Sequence, residues 1–286
     1  MEASDLKTKL VDEIIKAFGM SKSRLAKVLL RPVIMPAAMR FAELAVGFDN
    51  DVALYGFREA ARRVLPIFTR EVHARGMEHI PASGPLLIVS NHPGTVDGLV
   101  IASNLPRPDL KIVASGVPFV RSLDATAGHL IYSSLDMHER MAIIRHAIAH
   151  LDGGGALLIF PSGGIDPDPA VMPGAEQELE TWSRSLDVIL RRTPRAQILV
   201  TSVSGVLHAH WVRSPLTKLR NGRRNQQRVA EFLQIIQQMI MPMPRSLLVS
   251  PSVRFAEPIP VESGDRAGLL RSIIARAKQN LAALGG

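Results

Sequence analysis

Apolar residues in the first quarter of the chain recur at helical spacing, and beyond residue 70 they gather into short runs separated by turns. Leu6, Leu10, Ile14, Ile15 and Phe18 fall on one stripe and predict a helix. Ser21 to Phe48 reads as helical in pieces, because Pro32 and Pro36 each remove an amide donor and crowd the preceding turn. Val52 to Phe68 predicts another helix, closing near Pro66. The alternation Glu71 to Arg75 reads as a strand, followed by a Pro81-Ala82-Ser83-Gly84-Pro85 turn. Leu86 to Ser90 is a short apolar run bounded by turn signals, the form of a strand buried on both faces of a parallel sheet. Val96 to Asn104 predicts a helix. Lys111 to Ala114 and His129 to Tyr132 are further candidate strands, and Met137 to Leu151 is a helix ended by Gly153-Gly154-Gly155. Ala156 to Phe160 and Ile198 to Val203 are buried strands, Leu247 to Phe255 a late strand and Ala267 to Leu284 a terminal helix. Strands alternating with helices predict an α/β fold: a mixed, largely parallel sheet flanked by helices, with an N-terminal helical layer. The expected divisions are a helical segment at 1–69, an α/β domain at 70–260 and a C-terminal helix at 261–286.

Composition narrows the class. A chain of 286 residues, 47% hydrophobic and 21% charged, is long and apolar enough to bury a full core. It has no cysteine, which excludes a disulfide scaffold, a thiolate zinc site and a cysteine nucleophile. The N-terminus is polar without a signal-peptide h-region, and no apolar run reaches the ~18 residues of a membrane span. The expectation is a soluble or peripheral cytoplasmic protein. The net charge of +8 is concentrated in two acid-free stretches. One holds Lys22, Arg24, Lys27, Arg31 and Arg40; the other holds Arg213, Lys218, Arg220, Arg223, Arg224 and Arg228. A basic run alone reads as a solvated face. The first stretch, however, interleaves its cations with Leu25, Val28, Leu29, Leu30, Val33, Ile34, Met35 and Met39, a pattern suited to the interface of an anionic membrane. Nucleic acid is not an expected partner: aromatics are only 5% and no stacking platform or zinc finger is present.

Candidate chemistry lies in Ser90-Asn91-His92-Pro93-Gly94-Thr95-Val96-Asp97, where a strand ends, a Pro-Gly turn follows and a helix begins. His92 stands at the carboxyl end of the strand, where ligands of open α/β sheets bind. The turn can fold the Asp97 carboxylate back onto the imidazole, a pair suited to general-base catalysis. Spacing alone favours the plainer reading, a helix-capping aspartate beside a surface histidine.

Asn91-His92, four residues and then Asp97 resembles the signature of the glycerolipid acyltransferases, the family of lysophosphatidate and glycerol-3-phosphate acyltransferases. The lead-in His73-Ala74-Arg75-Gly76-Met77-Glu78-His79-Ile80-Pro81 is similar to the family's strand, glycine and short turn. Leu158-Ile159-Phe160-Pro161-Ser162-Gly163-Gly164 resembles its Phe-Pro-Glu-Gly block, while Lys111 to Pro118 and Val200 to Val206 fit its other two blocks loosely. The resemblance spans roughly residues 70 to 210. It implies that His92, oriented by Asp97, takes the proton of an acceptor hydroxyl that attacks an acyl thioester on coenzyme A or acyl carrier protein. These are co-substrates, so no cofactor and no metal is implied. It also implies substrate contacts from Asn91, Gly94, Phe160, Pro161, Ser162, Gly163 and Gly164, with an anionic membrane surface and a lipid acceptor as partners. The protein would lie peripherally on the inner face of a membrane.

The chain departs from the family pattern at Ser162, where the family has glutamate, and at Gly164 and Ile165, where it has threonine and arginine. The arginine of its second block is absent from His129 to Ser134. Arg121, beside Pro118-Phe119, is a candidate substitute cation and is equally read as a surface arginine. The departures leave two readings, an active acyltransferase with altered acceptor choice or an idle lipid-binding scaffold. A serine hydrolase is disfavoured by the missing Gly-x-Ser-x-Gly elbow. His146 with His150, and His208 with His210, each share a face but lack an evident third metal ligand. Gly153-Gly154-Gly155 lacks the lysine of a phosphate loop and reads as a turn.

Overall fold

The computed structural model describes residues 3–20, 24–116, 118–133, 137–182, 185–240, 247–261 and 266–284. Three helices come first: α1 (Ala3–Ala17), α2 (Arg24–Tyr55) and α3 (Phe57–Phe68). Then follow β1 (His73–Arg75), β2 (Leu86–Ser90), α4 (Asp97–Asn104), β3 (Lys111–Ser115), the one-turn α5 (Asp124–Ala127), β4 (Leu130–Ser133), α6 (Met137–Asp152) and β5 (Ala156–Ile159). The remainder comprises α7 (Ala175–Leu179), α8 (Ser185–Arg192), β6 (Gln197–Ser204), α9 (Ala209–Val212), α10 (Arg223–Ile240), β7 (Ser252–Phe255), β8 (Ile259–Pro260) and α11 (Arg266–Leu284). The strands form one mixed, mostly parallel sheet in the order β1-β7-β6-β2-β5-β3-β4, with β8 off this path on β6. β2 is central, parallel to both β5 and β6, while β7 and β8 run antiparallel to β6.

The period-two alternation of strands divides the apolar runs between two cores. Leu86 and Ile88 of β2, with Ala156 and Leu158 of β5, enter the core closed by α2, α3 and α4. Leu87, Val89, Leu157 and Ile159 enter the opposite core, closed by α6, α8 and α11. Both faces being covered explains why these strands read as continuous apolar runs. Each fully buried aliphatic side chain contributes about 1.5–3 kcal/mol relative to exposure. A third cluster joins Leu6, Leu10, Val11, Ile14 and Ile15 of α1 to Ile34, Ala38 and Ala42 of α2.

The structure changes three sequence expectations. The segment expected as helical pieces is one helix from Arg24 to Tyr55 that runs through both prolines. Pro32 and Pro36 lie four apart on an exposed side, where water can satisfy the carbonyls they leave free. The break falls instead at Gly56, whose φ of 82° lies in the left-handed region. Much of the apolar content between residues 30 and 40 covers α1: Ile34 is buried, and Leu30 and Met35 pack against the same cluster. Arg40 donates to the Met239 and Ile240 carbonyls at the end of α10, at 2.7 and 3.1 Å, a favourable place for a cation. Lys22 lies outside the described residues. The third change is α10 itself, a helix that begins in the stretch read from sequence only as a basic surface.

Candidate active site

β2 delivers the Asn91-His92-Pro93-Gly94 turn to the carboxyl edge of the sheet, between β5 and β6, and α4 begins at Asp97. The Asp97 carboxylate is 1% exposed and acts as the hub of this turn. Its Oδ2 lies 2.8 Å from His92 Nδ1 and accepts from the Gly94 amide at 3.1 Å; its Oδ1 accepts from the Gly98 amide at 2.6 Å. With Nδ1 held, Nε2 is the nitrogen left for a substrate. The His92 ring stacks on Phe160, centroids 4.5 Å apart, and keeps 30% exposure. Burial lowers the imidazole pKa, but the Asp97 carboxylate and its hydrogen bond, followed by Glu231 and Asp166, outweigh it and push His92 from 6.5 up to about 9.

The loop after β5 is fastened to the same turn. His92 N donates to Asp166 Oδ2 at 2.9 Å, and Asp166 N donates to the His92 carbonyl at 2.8 Å. Burial pushes the Asp166 carboxyl up to about 6, against the pull of Ser162 and His92. Nearby, the fully buried Asp168 accepts amides from Ala170, Gly205 and Leu207 and ties this loop to the end of β6.

α10 closes the site from outside the sheet, with a polar stripe turned inward at helical spacing. Gln227 Nε2 donates to the Pro93 and Asp166 carbonyls at 2.8 and 2.7 Å, joining the two loops. Gln234 donates to the Val206 carbonyl and accepts from the His208 amide. Arg223 donates to the Ile165 carbonyl, to Gln227 and to Glu178, and Arg224 also pairs with Glu178, at 2.7 Å. Between Gln227 and Gln234 stands Glu231, buried behind Gly94. A side chain on Gly94 would meet Glu231 Oε1 at 2.8 Å and Val206 at 3.0 Å, so this close approach requires glycine.

The expected site residues therefore divide. His92, Asp97, Gly94, Phe160 and the Pro161 to Gly164 loop come together. Gly163 takes φ +64° at the turn, and Gly164 lies against the Arg224 guanidinium, which a side chain there would displace. Ser162 Oγ donates to the Gly164 carbonyl at 2.9 Å, so its hydroxyl is engaged within its own loop. Asn91, expected at the substrate, is 2% exposed, and both ends of its amide bond the Val203 backbone at 2.8 Å. It fastens the end of β2 to β6. Arg121 is on the same edge of the sheet but two strands from β2, folded onto the Gly116 carbonyl and over the Tyr132 ring. Arg223 and Arg224, read from sequence as part of a basic surface, are tied to Glu178 and this loop instead. Sequence reasoning also missed Asp166, Gln227 and Glu231. Among the described residues, no group of three or more His, Asp or Glu is placed to hold a metal ion. His150 hydrogen-bonds the Asp109 and Ala156 carbonyls, and His208 accepts from the His210 amide.

Comparison with known proteins agrees with this geometry. No curated protein matches the sequence significantly. The whole fold is similar to the crystal structure of the 1-acyl-sn-glycerophosphate (LPA) acyltransferase PlsC from Thermotoga maritima. The TM-score is 0.51 at 16% identity, covering 86% of this chain and 82% of that one. Residues 71–185 match the family described as Acyltransferase. That segment contains His92, Asp97 and the loop from Phe160 to Asp166.

Proposed function

We propose that the protein transfers a fatty acyl group from a thioester, carried by coenzyme A or acyl carrier protein, to the hydroxyl of a lysophospholipid or other lipid alcohol. The observation that carries the reading is the 2.8 Å contact between His92 Nδ1 and the buried Asp97 carboxylate at an open sheet edge. His92 Nε2 accepts the acceptor's proton as its oxygen attacks the thioester carbonyl carbon. The tetrahedral adduct then collapses, the C–S bond breaks, and the imidazolium returns the proton to the departing thiolate. The products are an ester and a free thiol. No covalent enzyme intermediate is required, and Asp97 stabilises the imidazolium while it exists.

Ser162 bears on the acceptor. A glutamate in its place would offer hydroxyls a charge-assisted partner, roughly twice as strong as a neutral one. Here a short hydroxyl turns back into its loop, which favours an acceptor less hydroxylated near the reacting oxygen than glycerol-3-phosphate.

The surface beside the site suits a membrane. Arg220 lies against Gly19, just beyond the end of α1. The turn just before α10 exposes Leu216 and Leu219 by 46% and 56%, with Arg213 and Lys218 exposed among them. Apolar side chains rimmed by cations fit a peripheral protein on the anionic inner face of a membrane. Among the described residues, no helix is long and apolar enough to cross one.

The test is an assay of thiol release from acyl-CoA with a panel of lysophospholipids, glycerol-3-phosphate and phosphate-free lipid alcohols. At least one lipid acceptor should be acylated, and His92→Ala should lose about 10²–10⁴-fold with the fold intact. Undiminished transfer by His92→Ala would overturn the mechanism. A folded wild type idle with every donor and acceptor would favour a lipid-binding scaffold.

A further inference from the structure

Glu231, like Asp166, has a buried carboxyl oxygen without a partner near the site. Its residue is 6% exposed, and its Oε1 has no hydrogen-bond partner among the described residues. Its stripe neighbours are satisfied at both ends of their amides: Gln227 donates to two carbonyls and accepts from Arg223, and Gln234 donates to one carbonyl and accepts from one amide. A glutamine at 231 would fill the same space without charge, so a buried carboxyl with one oxygen unpartnered calls for an electrostatic account. The groups facing it are few: His92 and Asp97 across the turn, Arg228 from α10 itself, and the Thr95 backbone amide, which hydrogen-bonds it. Asp166 faces the other side of His92, bonded to its backbone amide.

We propose that Glu231 is a positioning residue of the acyl-transfer site, a buried carboxyl packed behind Gly94 and the His92-Asp97 turn that governs how much of His92 is neutral. The proposal rests on the reading of His92 as the base. Its logic is charge counting. A base must be neutral before it can accept a proton, and every anion packed around His92 favours the imidazolium. Asp97 must remain an anion, because it orients the ring. A second fixed anion behind Gly94 would hold His92 protonated further. Burial, opposed by His92, pushes Glu231 up to about 8, so below that pH the carboxyl is uncharged and above it the carboxylate holds the His92 proton more tightly. The first proton lost from the pair as pH rises is therefore shared between Glu231 and His92, and whatever Glu231 releases delays formation of the neutral imidazole.

Glu231→Gln removes the competing acid at nearly constant shape. The acid limb of the kcat/KM–pH profile should move down by roughly one unit, as expected for loss of one nearby opposite charge, giving about tenfold more activity below the limb. Glu231→Met serves as a second variant of similar size. An independent readout is the imidazole titration of His92 by NMR, its resonance identified among the nine histidines by its loss in His92→Ala. This pKa should fall by a similar amount in both variants. Activity lowered evenly at all pH values with the His92 titration unmoved would assign Glu231 a packing role and overturn the proposal. Because the NMR titration needs no turnover, failure of the general-base reading, shown by an active His92→Ala enzyme, is distinguishable from failure of the coupling.

Discussion

Replacing Asp97 by Asn tests the geometry most sharply, because the site leaves the amide no harmless orientation. The carboxylate accepts three hydrogen bonds, from His92 and Gly94 on Oδ2 and from Gly98 on Oδ1. Asparagine has one acceptor and one donor end. With the oxygen toward His92, the NH2 faces the Gly98 amide, and a donor is left without an acceptor at a cost of about 1–3 kcal/mol. With the amide flipped, the NH2 faces both Gly94 N–H and His92 Nδ1. The ring then places its proton on Nε2, the atom that should accept from substrate. Either orientation removes the anion that stabilises the imidazolium, and charge-assisted bonds contribute about 1.5–3 kcal/mol. The expected loss in kcat is about 10²–10⁴-fold, or roughly 3–5 kcal/mol of barrier at 1.36 kcal/mol per decade. Stability should fall by only a few kcal/mol, so a thermal melt of the variant should still show a cooperative transition well above assay temperature. The assay is single-turnover acyl transfer beside such a melt. A folded Asp97→Asn enzyme within about threefold of wild type would refute the assignment of Asp97 as orienting partner.

Two further outcomes follow. His92, Asp166 and Glu231 all have raised folded-state pKa values, about 9, 6 and 8 against 6.5, 3.8 and 4.5. The native state thus holds protons that the unfolded chain has released, so stability should decline as pH rises: through 4–6 for Asp166, 4.5–8 for Glu231 and 6.5–9 for His92. Activity, which needs neutral His92, should climb over the upper part of that range. A calorimetric melting temperature that rises between pH 6 and 9 would contradict this. At the proposed membrane face, Leu216→Ser with Leu219→Ser, or Arg213→Ser with Lys218→Ser, should weaken co-sedimentation with phosphatidylserine vesicles. Each cation near the surface is worth about 1 kcal/mol, so added salt should reduce binding; salt-independent, equal binding to neutral vesicles would remove the electrostatic part of the proposal.

Sequence made some elements legible because their cause is local. The runs 86–90, 156–159 and 197–204 are buried on both faces, so apolar continuity and flanking turns mark them without knowledge of their partners. His92 and Asp97 are readable together because one turn separates them, and a five-residue spacing is itself the geometry. Asn91 was misplaced for the opposite reason. Its partner, the Val203 backbone, is 112 residues away, and nothing near Asn91 distinguishes an amide that staples two strands from one that meets a substrate. Pro32 and Pro36 misled because the cost of a helical proline depends on whether its freed carbonyl meets water, which only the packed structure decides.

α10 shows why half of the site stayed hidden. The inward side chains Arg223, Gln227, Glu231, Gln234 and Gln238 recur every three or four residues, a perfectly regular helical stripe, but a polar one. Hydrophobic periodicity assigns such a stripe to solvent. Here it faces the ends of strands and turns, where backbone carbonyls and amides have no ladder partner, and such a surface must be covered by hydrogen-bonding side chains. Gln227 takes the Pro93 and Asp166 carbonyls, Gln234 the Val206 carbonyl and Gln238 the Phe68 carbonyl. The flanking Phe232 and Ile236 turn to the cluster of α1 and α2. A stripe of long amides at helical spacing is therefore the signal that was available, and its meaning follows from what it covers. The carboxyl edge of a parallel sheet exposes backbone, and a helix laid across it holds the loops through amides. The single acid in that row, Glu231, is the one packed behind Gly94 and facing His92.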